Sequence, residues 1–198
     1  MTRLVLASGN PGKLRELAAL LAPLGHELIS QTSLGIESPE ETGTTFLANA
    51  LLKARHAAGC SGLPALADDS GIEVDALDGR PGVYSARYAG EGASDLQNLE
   101  KLLLELRGVA AERRTARYRC VIVRVSAPGD PAPQVASGSW EGRILPAPRG
   151  AGGFGYDPVF LPQGLQCSAA ELDAAQKNAL SHRAQALREL VSKLSCPA

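Results

Sequence analysis

Short apolar runs alternate with amphipathic segments along most of this chain. Residues 4–7 form a compact apolar run that predicts a buried strand. The loop Ser8-Gly9-Asn10-Pro11-Gly12 follows, and Leu14, Leu17, Leu20 and Leu21 then recur at helical spacing. Pro23 and Gly25 close that helix, and residues 28–31 predict a second strand. Beyond the acidic loop of residues 37–43, Thr44 or Thr45 predicts the cap of a helix running to about residue 58, with Gly59 as its stop. The apolar run 65–68 predicts a strand that ends in an Asp-Asp turn, followed by a half-buried strand over 72–77.

Residues 94–107 carry Leu96, Leu99, Leu102, Leu103 and Leu106 at amphipathic helical spacing, with Gly108 at the end. Residues 115–126, rich in Val, Ile, Tyr and Thr, predict the longest strand, and 134–144 its hairpin partner across a Pro-rich connection. A Gly/Pro-rich loop spans 146–155, residues 156–160 read as extended, and a final helix begins near Ser181. No repeat and no linker is visible, so the chain is expected to be a single domain over residues 1–198. Parallel-type βα units combined with a long antiparallel pair imply an α/β fold with a mixed sheet.

Composition narrows the function. At 198 residues, 44% hydrophobic and 21% charged, the chain suits a soluble globular protein. A net charge of −1 argues against a nucleic-acid-binding surface. Four apolar residues near the start are too few for a signal-peptide core, and no span approaches transmembrane length, so a cytoplasmic protein without a membrane partner is expected. Cys60, Cys120, Cys167 and Cys196 share no Cys-x-x-Cys spacing, and His26, His56 and His182 form no His-Glu-x-x-His pattern. Any metal should therefore be held by oxygen, which points to Mg²⁺ or Mn²⁺.

Five segments carry candidate chemistry. In Ala65-Leu66-Ala67-Asp68-Asp69-Ser70-Gly71, two adjacent carboxylates at a strand end suggest a divalent-metal or general-base site, against a plain acidic turn. Ser8 to Lys13 reads as strand, Gly-rich loop and helix start, a place for an anion, although it is not a Walker A loop. Glu41 lies in a loop and can reach a metal; Asn49 and Lys53 share one helix face, a pairing that ordinarily means a solvated face. Gly150 to Gly155 matches Gly-x-Gly-x-x-Gly, but no helix pattern follows, so a loop bringing Phe154 and Asp157 to a base fits better than a dinucleotide site. Lys177 and the Ser181-His182-Arg183 step complete the set, with cations opposing a helix dipole as functional sites tend to do.

Together, SGNPGKLREL, EETGTTFLANALLKARHAA, ADDSGIEVDALDGRPGVYSARYAG, GGFGYDPVF and SHRAQAL, in that order from Ser8 to Leu187, resemble the inosine triphosphate pyrophosphatase family. That resemblance implies two α/β lobes around a long mixed sheet with an active-site cleft between them. It also implies Mg²⁺ dependence, a homodimer, and hydrolysis of ITP, dITP or XTP to the monophosphate and pyrophosphate. Glu41 and Asp69, with Asp68, would hold Mg²⁺, and Asp69 would activate water for attack at the α-phosphorus. Ser8, Asn10, Lys13 and the N–H groups of the loop at Gly9 and Gly12, on either side of Pro11, would grip phosphates, with Lys53 neutralising developing charge and Ser70 touching the substrate. Phe154, beside Gly155 and Tyr156, would stack on the purine, and Asp157, Lys177, His182 and Arg183 would read its edge. The rival readings are a pyrophosphatase for dTTP, UTP or modified pyrimidine nucleotides and a non-catalytic nucleotide sensor.

Overall fold

The computed structural model describes residues 2–195, so Cys196 lies outside the described residues. Six strands form one sheet in the order β2-β1-β3-β4-β5-β6: β1 is Thr2–Leu6, β2 His26–Ser30, β3 Ala65–Val74, β4 Thr115–Val125, β5 Gln134–Ile144 and β6 Phe160–Pro162. Strand β1 runs parallel to β2 and β3, whereas β5 and β6 are antiparallel, which makes the sheet mixed as expected. The helices are α1 Pro11–Leu21, α2 Phe46–Ser61, α3 Asp95–Glu105, α4 Ala174–Leu180 and α5 His182–Ser195. The chain divides into two compact units, the first comprising residues up to Asp69, Cys120–Gly138 and Arg183 onward, the second Ser70–Arg119 and Ser139–His182.

In the first unit, strand alternation sorts two apolar clusters. Val5, Ala65, Ala67, Val123 and Val125 pack with Ala50, Ala54, Ala57 and Ala58 of α2. Leu6, Leu66, Cys120, Ile122 and Ala136 pack instead with Leu17 and Leu21 of α1 and with Ala186, Leu187 and Leu190 of α5. Because successive side chains of a strand point to opposite faces, β1, β3 and β4 feed both clusters at once. The alanines of α2 present short side chains to this cluster. At β5, the Ser137 N–H donates to Glu189 Oε2 at 2.7 Å, Lys193 Nζ donates to the Val135 carbonyl at 2.7 Å, and Lys193 pairs with Glu189 Oε1 at 2.6 Å.

The second unit holds most of the aromatic residues. Tyr88, Tyr118, Trp140, Tyr156 and Phe160 pack with Ile72, Val74, Leu99, Leu102 and Leu106. Phe160 meets Tyr118 and Trp140 edge-on, with ring centroids 4.7 and 5.4 Å away. Helix α3 starts in a capping box: the Ser94 side chain accepts from the Gln97 N–H, and Gln97 accepts from the Ser94 N–H.

The structure revises several expected boundaries. Residues 65–74 are one strand with no Asp-Asp turn, and 75–77 form a short 3-10 turn. The two carboxylates are tolerated inside the strand because cations meet them there. The helix expected to stop at Gly59 runs on to Ser61, and Gly62, at φ 68°, caps it in the left-handed region that glycine adopts without strain. The segment read as extended over 156–160 is a 3-10 turn at Asp157–Val159 before the short β6.

Candidate active site

The register of β1 on β3 ends at Leu6 opposite Leu66, two residues before Asp68. Strand alternation then sends the two carboxylates to opposite faces of β3. Asp68 shares the face of Leu66 and meets helices α1 and α5; Asp69 shares the face of Ala65 and Ala67 and meets α2.

Around Asp68, Lys13 Nζ lies 3.0 Å from Oδ2 and Arg183 Nε 3.3 Å from the same oxygen. Asp68 and Arg183 are both buried. Burial alone would raise this carboxyl, but Lys13, Arg183 and Lys53 together hold it well below the usual carboxylate range. Arg183 in the first turn of α5 opposes the helix dipole, and the buried Asp68 carboxylate offsets that conflict.

Around Asp69, Lys53 Nζ donates to Oδ1 at 2.8 Å and to Glu41 Oε1 at 2.7 Å, while Asn49 Nδ2 donates to Asp69 Oδ2 at 3.3 Å. Burial pushes Asp69 above the ordinary range; Lys53 pulls it down, and the Glu41 charge pushes it up again. Burial likewise pulls Lys53 down, but Asp69, Asp68 and Glu41 outweigh it and leave the ammonium above its ordinary value. Neighbouring carboxylates are thus driven in opposite directions, the arrangement that separates a fixed charge from a proton acceptor. Asn49 is fully buried and Lys53 only 8% exposed, so the helix face that suggested solvent is an interior one.

The loop before α1 is locally closed. Asn10 Oδ1 accepts from the Gly12 and Lys13 N–H groups at 2.8 and 3.2 Å, and the Asn10 N–H donates to Ser8 Oγ at 3.2 Å. Pro11 occupies the first turn of α1, where its missing N–H costs nothing. Ser8 is half-buried, while Gly9, Asn10 and Pro11 are exposed.

A second cluster lies in the other unit. Asp157 is 3% exposed and takes up three donors: the Phe154 N–H at 2.8 Å and Lys177 Nζ at 2.7 Å on Oδ2, and the Tyr118 hydroxyl at 3.3 Å on Oδ1. Lys177 Nζ also lies 4.5 Å from the Phe154 ring centroid, a cation–π contact. The buried His182 ring stacks on Tyr118 at 4.7 Å with 7° between the planes. The Gly155 N–H donates to Asp95 Oδ2 at 2.7 Å, and the Tyr156 hydroxyl to the Ser85 carbonyl at 2.7 Å. Ser70, half-buried, follows Asp69 in β3.

The structure therefore gathers Lys13, Glu41, Lys53, Asp68, Asp69 and Arg183 in one unit and Phe154, Asp157, Lys177 and His182 in the other. Sequence reasoning missed Tyr118, one of several alternating residues of β4 with no motif around it. It also undervalued Asn49, whose spacing to Lys53 was the available signal. Among the described residues no group of three or more His, Cys, Asp and Glu side chains is arranged to hold a metal ion. Glu41 and Asp69 nevertheless converge on one cation, the Lys53 ammonium.

A model of the Ham1 family matches residues 4–193. A dITP/XTP pyrophosphatase of Xanthomonas oryzae pv. oryzae is 59% identical over 194 residues, 98% of each chain. The solved structure of a HAM1 protein from Coxiella burnetii is 49% identical, superimposes with a TM-score of 0.91, and covers 98% of this chain and 99% of its own. The Staphylococcus aureus Ham1 protein is 39% identical with a TM-score of 0.86 and 98% coverage of both chains.

Proposed function

The chain belongs to the Ham1 family, and from that premise we propose that it hydrolyses non-standard purine nucleoside triphosphates (ITP, dITP and XTP) to the monophosphate and pyrophosphate, removing them from the nucleotide pool. The observation that carries the mechanism is the sorting of Asp68 and Asp69 onto opposite faces of β3, each against its own cations.

Asp69 acts as the base. It takes a proton from water as the water oxygen bonds to the α-phosphorus and the bond from that phosphorus to the bridging oxygen breaks, releasing pyrophosphate. Its raised affinity for a proton suits it to this role. Lys53, held between Glu41 and Asp69, neutralises charge that develops on the phosphates. Lys13 and Ser8, with Asn10 and the loop through Gly9, Pro11 and Gly12, grip the triphosphate, and Ser70 touches it beside Asp69. Asp68 stays ionised and orients Lys13 and Arg183.

Glu41 and Asp69 supply hard carboxylate oxygens of the kind Mg²⁺ takes alongside phosphate oxygens and water, with Mn²⁺ as a substitute. When bound, the metal would screen the negative charge of the triphosphate. Phe154 stacks on the purine, while Lys177, His182 and Arg183 supply donors to its edge. A 6-keto group accepts where the 6-amino group of adenine donates, so these donors favour hypoxanthine and xanthine over adenine; guanine shares the 6-keto group, and its exclusion must come from the 2-position. Asp157 anchors Lys177 and the Phe154 backbone, and Gly155 and Tyr156 shape the same loop.

The protein is read as a cytoplasmic homodimer with a purine nucleotide as its ligand and no nucleic-acid or membrane partner. The balanced net charge of −1 supports the former exclusion. No helix among the described residues is long and apolar enough to cross a membrane.

Pyrophosphate release from ITP, XTP, GTP, ATP and dTTP at equal concentration, with Mg²⁺ and with chelator, tests the reading. Metal-dependent turnover of ITP and XTP in preference to the others is expected. Preference for dTTP, or nucleotide binding without turnover of any of them, would overturn it.

A further inference from the structure

Helix α2 presents Asn49, Lys53 and His56 at spacings of four and three, so they share one face. All three hold the acidic loop. His56 Nε2 lies 3.0 Å from the Glu37 carbonyl, Lys53 Nζ 2.7 Å from Glu41 Oε1, and Asn49 Oδ1 accepts from the Gly43 N–H at 2.8 Å. Of these, Asn49 alone is fully buried, and its other amide atom donates to Asp69 Oδ2 at 3.3 Å.

The orientation of that amide follows from chemistry. A backbone N–H can only donate, so the amide oxygen must face Gly43 and the NH₂ must face Asp69. The space for this link is reserved: a Cβ on Gly43 would stand 2.5 Å from Asn49 Oδ1 and 2.9 Å from the Ala48 Cβ. Asp69 is therefore held through both oxygens by two donors from one helix, Lys53 on Oδ1 and Asn49 on Oδ2. A buried amide in a helix interior is otherwise an unfavourable choice, since apolar packing on α2 is supplied by Ala50, Ala54 and Ala57.

We propose that Asn49 is a positioning residue, one rigid link that sets the carboxylate of Asp69 against the loop carrying Glu41. The inference rests on reading Asp69 and Glu41 as the residues that handle water and metal. It adds a residue with no contact to the substrate, on which the spacing of those two carboxylates depends. Its chemistry admits neither neighbour in the amide's isosteric series: Asp would set a carboxylate against Asp69, and Leu would strand the Gly43 N–H.

The test uses Asn49→Asp, which keeps the acceptor for Gly43 but replaces the donor to Asp69 with a carboxylate oxygen, and Gly43→Ala, which disturbs the same link with Asn49 intact and adds no charge. Four quantities are measured: kcat and KM for dITP with saturating Mg²⁺, Mn²⁺ affinity of the nucleotide-free protein by electron paramagnetic resonance, and the thermal midpoint. Both variants are expected to lose about 10²-fold in kcat with KM within about threefold, the signature of misplaced reacting groups. Gly43→Ala is expected to weaken Mn²⁺ binding as well, because the Glu41 loop moves. A purely structural Asn49 would lower the thermal midpoint and leave kcat and Mn²⁺ affinity of the folded protein unchanged, which overturns the proposal. Should Asn49→Asp fail to fold, unchanged kcat and Mn²⁺ affinity in Gly43→Ala overturn it alone. If the wild-type protein turns over no purine nucleotide at all, the functional reading fails; if it does and the variants match it, the Asn49 inference fails.

Discussion

Arg183 and Asp68, 115 positions apart in the chain, meet with Nε 3.3 Å from Oδ2 in a buried ion pair. Lys13 reaches the same oxygen from another helix. Two cations share one buried carboxylate, and removing Asp68 leaves both of them without their counter-charge.

Asp68→Asn should therefore destabilise the fold by about 3–5 kcal/mol at pH 7, on the order of 10 °C in Tm. The folded-state pKa of Asp68 is depressed, so its contribution is present above the unfolded value of about 3.9 and lost as pH falls through the folded one. Calorimetry of wild type and variant at descending pH should show the gap closing below about pH 4. A gap independent of pH would mean that the carboxylate charge is not what holds Arg183 and Lys13.

Asp69→Asn should lower kcat by about 10²–10⁴-fold while nucleotide binding stays measurable by calorimetry. Burial raises the Asp69 pKa, so the acid limb of the wild-type rate profile should lie above the ordinary carboxylate value of about 3.9. Activity is lost on the acid side because a protonated carboxyl cannot accept the proton of water. Substantial residual turnover in the variant would remove Asp69 as the base.

Lys177→Met should erode the preference for dITP over dATP by about 10–100-fold in the ratio of kcat/KM, the worth of one hydrogen bond from a charged donor. The comparison of two substrates on one variant cancels any general loss of folded protein. Unchanged selectivity would move base recognition away from Lys177 to His182 or Arg183.

Legibility followed the length of each pattern. The strand expected over 134–144 and the helix expected after Ser94 are found there, because eleven residues of consistent periodicity outweigh local accidents. Helix α4, at seven residues, and β6, at three, are shorter than any window in which periodicity can be read. The Asp-Asp pair was recognisable as chemistry but misread as a turn. What keeps it inside a strand is Lys13, Lys53 and Arg183, and a one-dimensional pattern cannot show that a cation 115 positions away will arrive. Asn49 and Lys53 were visible as a helical pair, but nothing local says which side of a helix will be covered. The acidic loop that covers them is held by the very side chains that looked solvated.

The two side chains that α5 lays against β5 have a consequence for the molecule among its own kind. Beyond the three residues that pair with β6, the outer margin of β5 offers backbone groups on which a foreign strand could grow. Glu189 and Lys193 occupy the Ser137 N–H and the Val135 carbonyl and lock to each other at 2.6 Å. An incoming chain would have to part an ion pair and strip two charge-assisted hydrogen bonds before its first rung could form. The protein guards this margin against fibrous self-association with two charges, where another fold would spend a further strand.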